Sequence, residues 1–260
     1  MTTSKNTRVL ISTLMLSISA LFWILLLVNP GNLLTIQHCA VTTTGSSRAS
    51  LQMLLAMNPI TSLLAGWALM VIAMMLPKLI LPVRYICERS LRSRRFWSAL
   101  LFVSGYTGVW MVAAFFMIAV IFWLNLLMPK SYLPAIAAGL IAIIWQFSPV
   151  KQRCLNRGHD HRALAAFGWA ANRDAFLFGV VHGVWCVGSG WALMLFPMLL
   201  PEGHNIAMIF VTFIMLSEHL ENPRPPQWRL SFRNKLMRIA LAQTQIKLKQ
   251  VLDLKWAFFE

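Results

Sequence analysis

The chain has 260 residues, of which 58% are hydrophobic and only 12% are charged. A soluble domain is about 45–50% apolar and about 25% charged, so this composition excludes a water-soluble globular enzyme and a disordered chain. The net charge of +15 leaves two explanations open, namely nucleic-acid binding or basic loops retained on the cytoplasmic side of a membrane.

Six apolar segments are candidates for membrane-spanning helices, which need ~20 apolar residues each. In chain order they are Val9–Val28, Ile60–Val83, Phe96–Leu124, Leu133–Phe147, Ala175–Leu200 and Ile206–Leu220. The first could be a signal peptide, but its apolar run is too long for one and no small-residue cleavage site follows, which favours a retained helix. The sequence therefore predicts an all-α bundle of six transmembrane helices.

Basic residues set the expected orientation of this bundle. Of the 23 lysines and arginines, all but Arg48 and Lys130 fall in the two terminal segments or in the second-to-third and fourth-to-fifth connections. With six spans these four regions lie on one side, so the positive-inside rule predicts that both termini are cytoplasmic in a bacterial inner membrane. Lys78 and Lys151 are counted among these cytoplasmic charges. Topology then accounts for the charge, and no nucleic-acid partner is expected.

A change of composition divides the chain into a transmembrane domain, residues 1–221, and a basic tail, residues 222–260. Pro223, Pro225 and Pro226 end the sixth helix, because proline removes a hydrogen-bond donor and fixes φ. Apolar residues then recur near helical spacing among lysines and arginines. This pattern is typical of an amphipathic helix on the anionic inner leaflet and equally of a solvated or partner-bound helix.

The fifth segment contains the most informative pair of residues, His182 and Cys186. They are four positions apart and so share one helix face, and both side chains are ligands for a soft or borderline metal such as Cu(I) or Zn(II). Packing is the competing interpretation. Gly179, Gly183, Cys186 and Gly190 form a seam of small residues, which lets another helix approach closely.

The second segment contains three methionines, Met70, Met74 and Met75. Thioethers favour Cu(I) over hard cations, although methionine is also an ordinary filler of apolar cores. Counted along the helices, these thioethers and the His182–Cys186 pair lie at the same depth, ~10–12 Å from the inner surface at 1.5 Å per residue. They would meet in one plane if the second and fifth helices are neighbours.

Other polar residues give weaker signals. Cys154 follows the fourth segment and is expected to be a free cytoplasmic thiol, and Glu218 is expected to be an interfacial carboxylate near arginine. His38 and Cys39 on the outer side are a possible contact point for a soft metal. None of the four cysteines forms a C-x-x-C pair, so no zinc-ribbon or thioredoxin motif is present.

These residues resemble a bacterial family of integral membrane proteins described as predicted metal-binding, the domain of unknown function 2182. The resemblance covers about residues 67–218 and rests on short motifs distributed over most of the spanning region. They are Gly66-Trp67, Ala73 to Pro77, Gly105-Tyr106, Val109-Trp110, Gln146, Pro149, Lys151, Cys154-Leu155, Gly179, Gly183, Cys186, Gly188, Trp191 to Met194, and Glu218.

The resemblance implies a metal-binding membrane protein without an established activity. The sequence departs from the family pattern at four positions. The family usually has cysteines at Ser189 and Gly190 and near Gly158, and lysine in place of His219. The resemblance therefore implies a divergent member.

The leading hypothesis is a non-enzymatic inner-membrane protein that handles a metal or assists metalloprotein assembly. Copper is the expected metal, because neutral imidazole and soft sulfur suit a monovalent ion. Its expected ligands are Met70, Met74, Met75, His182 and Cys186, and its expected partners are the lipid bilayer and another membrane protein. The alternative is a non-catalytic structural or assembly subunit of a larger complex, docked through the small-residue seam. A solute transporter is disfavoured because no pair of broken helices indicates an inverted repeat.

Overall fold

The computed structural model describes residues 2–28, 59–128 and 131–228, together with positions 52, 56, 238–239 and 241–246, and the side chains from Arg8 onward. Within these residues the chain is all-helical, which confirms the predicted class. The helices are α1 (Thr2–Val28), α2 (Ile60–Met75), a 3-10 turn (Leu76–Leu79), α3 (Ile80–Arg89), α4 (Arg95–Leu127), α5 (Leu133–Gln146), α6 (Pro149–Arg157), α7 (Gly168–Met198) and α8 (His204–His219).

Among the described residues, four continuous helical segments are long and apolar enough to cross a bilayer, and a fifth is added if a bent pair counts as one span. The four are Arg8–Val28, Ile60–Arg89, Arg95–Leu127 and Gly168–Met198. The bent pair is α5 and α6, which meet at 68°. The sixth predicted span corresponds to α8, whose 16 residues extend about 24 Å, less than the ~30 Å of a hydrocarbon core. Six spans and cytoplasmic termini therefore stay predictions.

The long helices α4 and α7 form the centre of the bundle and approach each other through glycines. A Cβ atom added at Gly179 would lie 2.1 Å from the carbonyl oxygen of Phe102, and one added at Gly105 would lie 2.6 Å from that of Phe176. Only glycine permits this backbone separation. The small-residue seam is thus covered within the same chain, by α4 at Gly179 and Gly183 and chiefly by Met215 of α8 at Gly190, so it does not offer the docking surface that the structural-subunit alternative uses.

On the other side of the bundle, α1 packs along α2. The Ser19 hydroxyl donates a hydrogen bond to the Ala73 carbonyl at 2.6 Å. An ion pair between Arg8 and Glu88, 2.7 Å long, joins the beginning of α1 to the end of α3. These contacts place the methionine-bearing helix α2 between α1 and α4.

Two of the lysines assigned to cytoplasmic connections are buried, which corrects that part of the sequence analysis. Lys78 is 4% exposed and Lys151 is 1% exposed. Lys78 is not in a loop because the chain continues past Pro77 as a 3-10 turn and then as α3 up to Arg89. Lys151 is buried because the bend after α5 turns α6 back toward the bundle, where Glu218 balances its charge.

Two further expectations can be compared with the structure. Cys154 is a free thiol, as predicted, but its side chain is buried, and its Sγ would lie 2.9 Å from a Cβ atom at Gly188. Glu218 is not at an arginine-rich interface, since it is 2% exposed and pairs with Lys151. His38 and Cys39 lie outside the described residues, and so does most of the basic tail, of which positions 238–239 and 241–246 are helical.

Candidate metal centre

Cys186 is the point at which three elements of the bundle meet. Its Sγ accepts a hydrogen bond from Tyr106 Oη of α4 at 3.1 Å and another from Lys78 Nζ of the 3-10 turn at 3.4 Å. All three side chains are buried. Metals bind the thiolate form of cysteine, and a cation and a phenol that both donate to Sγ suit a sulfur carrying negative charge.

His182 lies one helical turn before Cys186 and faces the same neighbour. Its ring centroid is 5.9 Å from that of Tyr106 and 5.8 Å from that of Phe102, and its side chain is buried. The shared contact with Tyr106 confirms the prediction that His182 and Cys186 occupy one face of α7. This face points toward α4 and not toward lipid.

The three methionines are also internal. Met70, Met74 and Met75 are each at most 2% exposed and belong to the same apolar cluster as Cys186. However, α2 packs mainly against α1 and α4. The second predicted span contacts α7 through Lys78, which lies three residues after Met75. This contact is the hydrogen bond from Lys78 Nζ to Cys186 Sγ.

The structure therefore unites His182 with Cys186 and places the thioethers in the same core. Among the described residues, no group of three or more His, Cys, Asp or Glu side chains has the geometry of a metal site. A centre made from the two α7 residues would need thioethers to complete it. The full set of five ligands stays a prediction.

Sequence analysis did not assign Lys78 and Tyr106 to the site. Lys78 was attributed to topology because it follows a proline near the end of an apolar segment, and Tyr106 was recognised only as part of a family motif. The available signal was their position inside long apolar helices, because a polar side chain at membrane depth indicates function. The sequence alone does not show how α2 and α4 are rotated about their axes. This rotation directs the side chains of Lys78 and Tyr106 to the Cys186 sulfur.

A second buried polar network fixes the bend between α5 and α6. Lys151 Nζ lies 2.9 Å from Glu218 Oε1. The Gln146 amide donates to the same carboxylate oxygen, and its carbonyl accepts from Lys151. Ser148 caps α6 by accepting a hydrogen bond from the Lys151 backbone N–H at 3.1 Å. These contacts between Lys151, Gln146 and Glu218 hold α6 against α8.

The bend also supports the helix that carries the candidate centre. Trp145 Nε1 donates to the Gly188 carbonyl at 3.1 Å, two residues beyond Cys186. Cys154 packs against the same glycine. Thus α5 and α6 both contact α7 next to the Cys186 position.

Comparison with known proteins identifies the chain at the level of a family. The model of the family described as "PpoB2: Copper chaperone" matches residues 64–231, more than half of the chain. The matched region includes the three methionines, Lys78, Tyr106, His182, Cys186 and the Lys151–Glu218 pair. No curated protein and no solved structure matches the chain. The expected relation to a metal-associated family is confirmed, although the matching family is described by copper and not as a domain of unknown function. The chain belongs to the PpoB2 copper chaperone family.

Proposed function

We propose that this protein is a membrane-embedded copper chaperone that carries Cu(I) as cargo, with Cys186 as the principal ligand. The observation that carries the proposal is the convergence of Lys78 and Tyr106 on the buried Cys186 sulfur. His182 supplies a nitrogen ligand on the same helix face, and Met70, Met74 and Met75 supply soft thioethers from α2. Thiolate and thioether ligands select Cu(I) over harder ions.

Lys78 has a definite part in this proposal. Its ammonium group lies against the sulfur that the cargo would bind, so copper loading requires the flexible lysine chain to withdraw from Cys186. Because Cu(I) and an ammonium group each carry one positive charge, this exchange preserves the charge balance beside the sulfur. Burial of an unbalanced charge is costly, so the displaced Lys78 must either extend its ammonium group to water or release its proton to water as copper binds.

The proposed location is the bacterial inner membrane, with six spans, both termini cytoplasmic and the basic tail at the inner surface. The long apolar helices support a membrane location. Delivery of Cu(I) to a partner metalloprotein, without any catalysed reaction, is the activity that follows from carrying a cargo. The structural-subunit alternative has less support, since the seam through which it would dock is covered by α4 and by Met215 of α8.

The test is the copper content of the purified protein after loading with Cu(I) and desalting. We expect wild type to retain copper and both Cys186→Ala and His182→Ala, singly or combined, to lose most of it. Cys87→Ala is the matched control, because Cys87 is another buried free cysteine of the described residues but lies on α3. Equal copper content in wild type and Cys186→Ala would overturn the proposal, and loss in Cys87→Ala alone would assign the metal to a different place.

A further inference from the structure

Two histidine ring nitrogens of the described residues are buried without a hydrogen-bond partner, Nε2 of His204 and Nε2 of His219, and the second lies near the proposed centre. His219 is the last residue of α8, and its Nε2 is buried with no hydrogen-bond partner in the part of the chain that the structure describes. Buried polar atoms are nearly always satisfied. A buried imidazole nitrogen with a free lone pair is also the atom with which histidine binds copper.

The surroundings of His219 connect it to the Cys186 centre. The His219 ring hydrogen-bonds the backbone of Lys78, and it is close enough to Lys78 and His182 for their charges to influence it. The side chain of that same Lys78 contacts Cys186 Sγ. Lys78 therefore lies between His219 and Cys186, the proposed copper ligand.

His159 holds the His219 ring in place. The two imidazoles stack with centroids 5.4 Å apart and planes 18° apart. His159 Nδ1 lies 2.8 Å from the Leu155 carbonyl and its Nε2 lies 3.1 Å from the His219 carbonyl. Both nitrogens of His159 are engaged with backbone, so His159 acts as a brace, and Nε2 of His219 is the nitrogen left available.

Exposure increases from the centre toward this end of the bundle. His182 is buried, His219 is half-buried, and His161, on the segment that follows α6, is exposed. His161 is also within electrostatic range of His182. His161 and His219 are thus the more exposed imidazoles that act on the buried His182 or are acted on by it, with nitrogen ligands outside and the softer sulfur inside.

We propose that His219 is a copper ligand on the exchange route, binding Cu(I) transiently as it passes between the His161 side of the bundle and the Cys186–His182 pair. This inference rests on the proposed function and adds a ligand and a direction to it. The cargo remains Cu(I) throughout, so replacement of one ligand by another needs no oxidant or reductant.

The test compares His219→Leu with His219→Met, two side chains of similar size of which only methionine can ligate Cu(I). The probe is Cu(I) bound to bicinchoninate, and the readout is the rate at which copper transfers to the detergent-solubilised protein. We expect His219→Leu to slow transfer about tenfold, the lower end of the effect of losing a residue around a metal, without changing the amount of copper finally bound. His219→Met should exchange at close to the wild-type rate.

His204→Leu is the matched control, because His204 begins the same helix and also has a buried, unpartnered Nε2, but at the opposite end. It should leave the transfer rate unchanged. His219→Gln, which keeps polarity without a good copper ligand, should behave like His219→Leu.

Equal rates for His219→Leu and His219→Met, whether both slow or both like wild type, would overturn the relay and leave His219 a structural residue. This failure is distinguishable from failure of the proposed function. If Cys186→Ala loses copper while the His219 variants exchange normally, only the relay is wrong. If Cys186→Ala retains copper, both proposals fall.

Discussion

Breaking the buried Lys151–Glu218 pair is expected to destabilise the fold strongly. The charged groups are 2.9 Å apart, with side chains 1% and 3% exposed. At an effective dielectric constant of ~20, two unit charges at this distance attract by about 6 kcal/mol. Desolvation offsets part of this attraction, but removal of one partner leaves the other charge buried and uncompensated, which costs about 3–5 kcal/mol.

We therefore expect Lys151→Met and Glu218→Gln each to lower the free energy of unfolding by about 3–5 kcal/mol. The double variant should cost well below the sum, because it leaves neither charge unbalanced. The assay is a double-mutant cycle, with unfolding followed as a denaturing detergent is added to protein in mild micelles. The Arg8–Glu88 pair is the control, since its side chains are 53% and 46% exposed, and Arg8→Met should cost no more than about 1 kcal/mol. If the loss of stability in the double variant equals the sum of the two single losses to within about 0.5 kcal/mol, the two residues do not interact. That result would refute the interpretation that the Lys151–Glu218 pair fixes the bend between α5 and α6.

Three further predictions follow from the packing and the topology. Gly179→Ala places a Cβ atom 2.1 Å from a backbone oxygen and should lower the free energy of unfolding by about 1–3 kcal/mol or more. Gly108→Ala is the control, because no atom lies within 4 Å of the added Cβ, and it should be neutral or stabilise the fold by about 0.5–1 kcal/mol. Thermal unfolding measures both variants. Trp145→Phe removes the hydrogen bond to Gly188 and should cost about 1 kcal/mol in the same assay, and no change would show that this bond does not hold α5 to α7. Reporter proteins fused to either terminus should be active only in their cytoplasmic form, and a periplasmic signal at one end would reject six spans.

The long apolar helices could be predicted from the sequence because length and hydropathy alone define them. The α4 helix begins and ends close to the predicted residues for this reason, and α7 ends close to its predicted end but begins at Gly168, well before the predicted Ala175. The bend at Ser148 was not predicted, although Pro149 disfavours helical geometry in the residue before it. Hydropathy does not distinguish one straight span from a helix that turns at a proline.

The candidate site was predicted in part. His182 and Cys186 share a helix face because of their spacing, which the sequence contains. The partners of Cys186 depend on how α2 and α4 are rotated, and tertiary packing alone determines that rotation. Lys78 shows the limit most clearly, since counting charges assigned it to a loop while its environment makes it a buried partner of the sulfur.

For the small residues of α7, the sequence predicted the kind of contact but not the partner helix. The Gly179–Gly183 spacing correctly predicted a close helix contact, but the sequence does not say whether the approaching helix belongs to the same chain. The structure assigns it to α4, with Gly105 as the reciprocal small residue. Packing and metal binding are alternatives for this helix in the sequence, yet the residues for both lie on one face, since Tyr106 of α4 lies against Gly183 and also donates a hydrogen bond to the Cys186 sulfur.

The central claim, that Cu(I) binds to the Cys186 sulfur, is tested most directly by copper X-ray absorption on the loaded protein. We predict scattering from sulfur together with nitrogen in wild type, with the sulfur contribution reduced in Cys186→Ala and the nitrogen contribution reduced in His182→Ala. A copper environment of nitrogen and oxygen alone, identical in wild type and Cys186→Ala, would contradict the claim.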